Sequence, residues 1–257
     1  MKSDFFKEIV GLICQIAIIF DLLLYHDRMK NTKHYLILAA LAIIFTFIIQ
    51  SFDIAFPHPS QKAGLKPQSV IPILILASIC SILWDKFIVV HPPVITMKYL
   101  WFAAIGALIG LLFVFIDMLS GISKQMANLL NISSIHMELP FSGVVYSIAA
   151  VIVESLYRII PIGILFWLIS TFILKSKNKK QIYIILAIII SGLEPLSQLA
   201  VFQTFSVVHL VLGILIYSFN LLLCYLIYQY GIFAAVLTRW SFYMVWHVLI
   251  GPVWLYN

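Results

Sequence analysis

Two charged residues four apart, Glu154 and Arg158, stand inside an apolar stretch from Phe141 to Lys175 that is long enough to cross a bilayer. Each such charge at the centre of a membrane helix costs about 2.5–3.5 kcal/mol on insertion scales, so its presence needs a reason. The spacing puts both on one helix face, where carboxylate and guanidinium can pair and partly cancel. The second half of the chain carries further polar groups within apolar runs: Glu194, His209, Asn220, Arg239 and His247. Tyr243 joins them, because Arg239, Tyr243 and His247 recur every four residues and share one face of a helix. The first half offers mainly Asp21 and Asp53, both close to the ends of their apolar runs.

A Glu and a His on neighbouring helices can activate a water for attack on a carbonyl, with or without a metal. A second His or an Arg can steady the developing oxyanion. Glu154, Arg158, His209 and His247, with Arg239, Tyr243, Glu194 and Asn220 beside them, are of the residue types such chemistry uses. The chemistry requires no cofactor; a divalent metal such as zinc, if it takes part, has Glu154, His209 and His247 as its ligands. The sequence contains no HExxH, no GxSxG, no paired carboxylates on one helix and no glycine-rich phosphate loop. What remains is peptide or amide hydrolysis, proton-coupled transport through Glu154, Glu194 and His209, or a purely architectural role. Each residue also has a plain structural use. The Glu154–Arg158 pair can fix helix register, and His209 lies near the start of its run, where an interfacial histidine is unremarkable. Glu194, just before Pro195, can reach the outer interface or cap a turn, and Asn220 suits an interhelical hydrogen bond.

The elements that must position these groups are membrane helices. Of 257 residues 63% are hydrophobic and 10% charged, with a mean hydropathy of +1.08. Soluble domains run near about 45–50% apolar and about 25% charged, so a soluble enzyme is excluded. The net charge of +6 reflects lysines clustered in short loops, as topology signals are, and not a nucleic-acid surface. No secretory signal is evident, since Met1 to Glu8 is short and mixed in charge and the following run contains Asp21. Cys14, Cys80 and Cys224 lie in apolar segments without metal-ligand spacing, which argues against disulfides and a cysteine zinc site.

Runs of about twenty apolar residues read as spans, and they fall at about 8–25, 35–56, 69–91, 97–120, 143–174, 181–201, 207–229 and 232–250. The third is interrupted by Asp85 and Lys86, so its end is expected near Trp84. Ser120 to Pro140 reads as a helix lying at the interface. Basic clusters at Arg28, Lys30 and Lys33 and at Lys175, Lys177, Lys179 and Lys180 belong on the cytoplasmic side. An even number of spans must then separate them, so 141–175 is one long helix kinked at Pro161, which a membrane helix tolerates. The fold class is therefore all-α: a polytopic bundle of about eight transmembrane helices in the cell membrane. Its partners are the lipid bilayer and a membrane-embedded peptide or protein substrate.

The order of motifs resembles that of the CPBP family, the type II CAAX prenyl endopeptidases and the bacteriocin-processing and self-immunity membrane proteins. That family reads EExxxR, then FxxxH, then HxxxN or HxxxD, in an eight-span fold. Val153-Glu154-Ser155-Leu156-Tyr157-Arg158 is similar to the first motif, Phe205 to His209 to the second, and His247 to Gly251 to the third. The resemblance covers residues 141–257, a core that carries the polar site, while 1–140 supplies the N-terminal helices and the interfacial segment. It implies an intramembrane endopeptidase in which Glu154 and His209 activate water, His247 holds the oxyanion and Arg158 orients Glu154. Val153 stands where the family has its first Glu, and Gly251 where it has an amide or acid. Those departures support an alternative expectation: a catalytically degenerate relative that serves as an immunity, peptide-binding or scaffold protein.

Overall fold

The computed structural model describes residues 30–51, 64–88, 98–129, 131, 134–137, 141–173, 178–200, 202 and 206–250. The expected span at 8–25, with Cys14 and Asp21, lies outside the described residues, as do Asp53, Phe205, Gly251 and the basic residues Arg28, Lys175 and Lys177. Within them the protein is helical and contains no strand. It is an integral, multi-pass membrane protein: seven of the described helices are long and apolar enough to cross a bilayer.

In chain order the helices are α1 (Lys30–Ser51), α2 (Pro67–Phe87), α3 (Lys98–Ser120), the short α4 (Ile122–Leu129), α5 (Phe141–Phe172), α6 (Lys179–Leu199), α7 (Val207–Tyr230) and α8 (Ile232–Leu249). A bilayer core cannot hydrogen-bond a bare backbone, so each apolar run closes its own ladder as a helix. The spans alternate in direction. Lys33, Lys86, Lys98, Lys179 and Lys180 therefore sit at one end of the bundle, and Lys66 and Lys124 at the other. Lysines gathered at one end are the pattern that the positive-inside rule associates with a cytoplasmic face.

Helix α2 runs past Trp84 to Phe87, three residues beyond the expected end, because Asp85 is used there. Its carboxylate accepts from the backbone N–H and side-chain amide of Asn31 at 3.3 and 2.9 Å, and from the N–H and hydroxyl of Thr32 at 2.8 and 2.7 Å. An acid from one helix thus satisfies the open N-terminus of another. Asn31 Oδ1 in turn accepts from the Ile232 N–H at 3.2 Å, tying α1 to the start of α8. The chain can turn there because Gly231 holds φ +92, and a Cβ at that position would lie 2.4 Å from Asn31 Oδ1.

The tightest helix pair is α3 on α8. A Cβ built on Gly106 would lie 2.0 Å from the Thr238 carbonyl oxygen, and one on Gly110 would lie 2.9 Å from that of Phe242. Two glycines four apart let the backbones touch, which is how membrane helices pack without a hydrophobic drive.

Helix α5 is continuous over 32 residues, as the parity of the basic loops requires. It carries two π turns, at Ser155–Ile159 and Ile169–Ile173. The first lies just before Pro161, which has no N–H to give the preceding turn and crowds it. The widened turn is anchored from both neighbours. Tyr35 of α1 donates to Ser155 Oγ at 2.6 Å, and Trp84 of α2 donates its indole N–H to the Ile159 carbonyl at 3.0 Å. Arg158 sits inside this turn, so α1 and α2 hold the segment that carries it.

Candidate functional site

Three helices bring charged residues, and a fourth an amide, to one point. Glu154 ends the α-helical part of α5 and Arg158 follows it in the π turn. In α6 a turn at Ser191 and Gly192 breaks the helix and redirects its last segment, Leu193–Leu199, so that Glu194 faces the bundle. Asn220 comes from the middle of α7, and Arg239 and Tyr243 from α8. Tyr243 is half-buried and the others are buried, Glu154 at 0% exposure and Arg158 and Arg239 at 1%.

The contacts form a closed set. Arg158 Nη1 donates to Glu154 Oε1 at 2.9 Å, and Arg239 Nε donates to the same oxygen at 2.5 Å. Arg239 also grips Glu194 in a two-pronged pair, Nη1 to Oε1 at 2.8 Å and Nη2 to Oε2 at 2.7 Å. Arg158 Nη2 reaches Glu194 Oε2 at 3.4 Å. Asn220 turns its carbonyl oxygen to both guanidiniums, at 3.0 Å from Arg239, and donates its amide to the Ser191 carbonyl at 3.1 Å. Tyr243 accepts from Arg239 at 3.2 Å, and Gln198 donates to Glu194 Oε1 at 3.2 Å. The Arg239 guanidinium also lies 5.4 Å from the ring centre of Phe219. Two acids and two cations sum to zero, which is what allows charge to persist in a low-dielectric interior. Paired forks of this kind fix orientation as well as energy.

Six of the eight candidate residues therefore meet: Glu154, Arg158, Glu194, Asn220, Arg239 and Tyr243. Glu194 is not at the interface or capping a turn, because the break at Ser191 and Gly192 aims it inward. Asn220 does make the expected interhelical hydrogen bond, and also spans both cations.

The two histidines have other partners. His209 stands in the first turn of α7, where Ser206 donates its N–H to Nδ1 at 3.0 Å and its hydroxyl lies 2.8 Å from the same atom. Ser206 Oγ accepts from the His209 N–H, so the pair forms a reciprocal cap of the helix start. The ring also packs on Phe202, 4.2 Å between centres. His247, in the terminal π turn of α8, sets its Nδ1 3.0 Å from that of His136 and stacks on Tyr146 at 4.4 Å. Neither histidine is hydrogen-bonded to Glu154 among the described residues.

The set Glu154, His209 and His247 does not fit a metal ion. Among the described residues no group of three or more His, Cys, Asp or Glu side chains gathers around one point. Capping holds His209 at a helix end, and pairing with His136 holds His247. His136 carries no signal in the sequence: it falls in the stretch Ser120 to Pro140 that reads as an interfacial helix, of which the described residues are helical only over Ile122–Leu129. Asp117 was missed for a similar reason, near the end of its span. It is buried and accepts from the N–H of Ser123 at 2.8 Å and from its hydroxyl, holding α4 against the end of α3.

The geometry can hold four helices in one register, and it leaves one carboxylate oxygen, Glu154 Oε2, without a hydrogen-bond partner among the described residues. Two cavities defined by described residues lie elsewhere and touch neither Glu154 nor the two arginines. No protein-family model matches the chain, and no curated protein or solved structure matches it either.

Proposed function

We propose that this chain is a catalytically silent, CPBP-like protein of the cell membrane that works by holding a membrane-embedded peptide or protein partner, as an immunity or scaffold protein does. One observation carries the reading: Glu154 Oε1 is gripped by Arg158 and Arg239 together, in a site with no exposure to solvent. A general base must reach its histidine or its water within about 2.6–3.2 Å, directly or through one water. The imidazoles of His209 and His247 are engaged with Ser206 and His136 instead. With its ions committed to one another, the molecule offers a partner apolar surface within the bilayer.

The endopeptidase reading draws on a different observation, the carboxylate oxygen Glu154 Oε2 that accepts no hydrogen bond from a described residue. One experiment separates the two. The protein is reconstituted in liposomes with membrane-anchored peptides, as wild type, Glu154→Gln and Val153→Glu. The silent reading expects no turnover from any of them and a lowered melting temperature for Glu154→Gln. Wild-type turnover that Glu154→Gln abolishes without loss of melting temperature would establish hydrolysis.

A further inference from the structure

At the end of the bundle that carries Lys66 and Lys124, α3, α6 and α8 finish, α7 begins, and α4 packs beside them. A cavity of about 40 Å³ lies between these elements. Small-molecule sites usually run to about 300–1,000 Å³, so this one has no room for a cofactor, a lipid chain or a peptide. A water needs only about 10–15 Å³.

Most of the wall is hydrocarbon, from Phe113, Ile122, Met126, Leu212 and Ile216. A cavity lined by such groups alone stays dry. Three polar side chains complete this one, Ser123, Gln198 and Trp246, and they differ in what they still need. Ser123 needs nothing, since its N–H and its hydroxyl both bond Asp117. Gln198 is half engaged. Its amide donates to Glu194 Oε1 at 3.2 Å, while no described residue donates to its side-chain carbonyl.

Trp246 is the exception among the neighbouring indoles. Trp84 donates its N–H to the Ile159 carbonyl at 3.0 Å, and Trp240 donates to the Ser147 hydroxyl at 2.8 Å. The Trp246 ring is fixed against Phe113, Phe242 and His247, with centres 5.2, 5.4 and 4.2 Å away. Its nitrogen is buried there with no hydrogen-bond partner among the described residues. A buried N–H in that position has given up its hydration and gained nothing in return. An indole can only donate, so Trp246 lacks an acceptor, and the Gln198 carbonyl lacks a donor. Water is both, and it fits the space.

We propose that this cavity is a water site, in which the water accepts from the Trp246 indole N–H and donates to the side-chain carbonyl of Gln198. It places water one side chain from Glu194, on the opposite side of Gln198. The inference concerns the Glu194 side of the ion cluster and leaves Glu154 sealed, so it stands or falls separately from the function proposed above.

The test uses the full chain in lipid nanodiscs with isotope-labelled tryptophan, and reads magnetisation transfer from water to each indole proton by NMR. Trp246→Phe identifies the Trp246 signal by removing it. Wild type is expected to show a water cross-peak at Trp246 and none at Trp84, whose proton is held by Ile159. Leu212→Phe fills the cavity from α7 and is expected to abolish the cross-peak. Gln198→Leu removes the acceptor and is expected to abolish it as well. An unshifted Trp84 signal shows that a variant is folded, and Ile216→Phe replaces Leu212→Phe if the latter fails that check. No cross-peak in the wild type, or one that survives the filled cavity or the lost carbonyl in a folded variant, overturns the proposal.

Discussion

Glu154 is worth most to this molecule as one half of a balance. Replacing it by Gln leaves two guanidiniums facing a single carboxylate in a sealed site. Breaking a buried pair in this way costs about 3–5 kcal/mol, most of it the penalty of the orphaned charge. Adding Arg158→Gln to Glu154→Gln restores neutrality, so the double variant is expected to melt above the single one, measured by thermal unfolding in detergent. His136 offers a pH-dependent readout in the connection before α5. Burial pushes its imidazole down to about 4. A histidine ordinarily titrates near about 6.5, so between those values the unfolded chain binds more protons than the folded one, and stability rises with pH. The melting temperature is therefore expected to fall as pH drops from about 6.5 toward 4, and His136→Phe to flatten that fall. Only protonation of both rings would leave the Nδ1 to Nδ1 contact with His247 without an acceptor, since one of those atoms must lack a proton for the bond to exist.

The helices themselves differ in how much they tolerate. At Gly106 any side chain meets the Thr238 carbonyl of α8, while Gly143 in α5 has nothing within 4 Å of where a Cβ would stand. Gly106→Leu is expected to unfold the α3–α8 pair, with a cost beyond the about 1–3 kcal/mol usual for overpacking, because backbone cannot move aside as a side chain does. Gly143→Ala is expected to raise stability by about 0.5–1 kcal/mol through helix propensity alone. Both are read from melting curves. The seven described spans were legible in the sequence, because about twenty apolar residues in a row have one use, and so was the single long α5, because basic loops fix parity. The four-residue spacing of Gly106 and Gly110 acquires its meaning only in the structure, where α8 lies against both. Pro161 predicts a kink in α5 but not its form, a π turn that depends on Tyr35 and Trp84 reaching in from other helices.

Across the whole molecule, the polar groups sort by what surrounds them, and sequence spacing reveals only part of that. Glu154 with Arg158, and Arg239 with Tyr243, are four apart and met as expected. Glu194 joined them although nothing near it in sequence is charged, because the break at Ser191 and Gly192 turns it inward. His209 and His247 share the residue type of a hydrolytic site but are claimed by Ser206 and His136, partners that no motif encodes. The resulting ion cluster also has a direction in time, since its members arrive in the order in which the chain is made. Glu154 and Arg158 enter the membrane together as a neutral pair. Glu194 then adds an uncompensated negative charge, which persists through the whole insertion of α7. Only the final described helix delivers Arg239 and discharges it. A chain truncated before α8 is therefore expected to hold two carboxylates against one guanidinium, and to melt below the full-length protein.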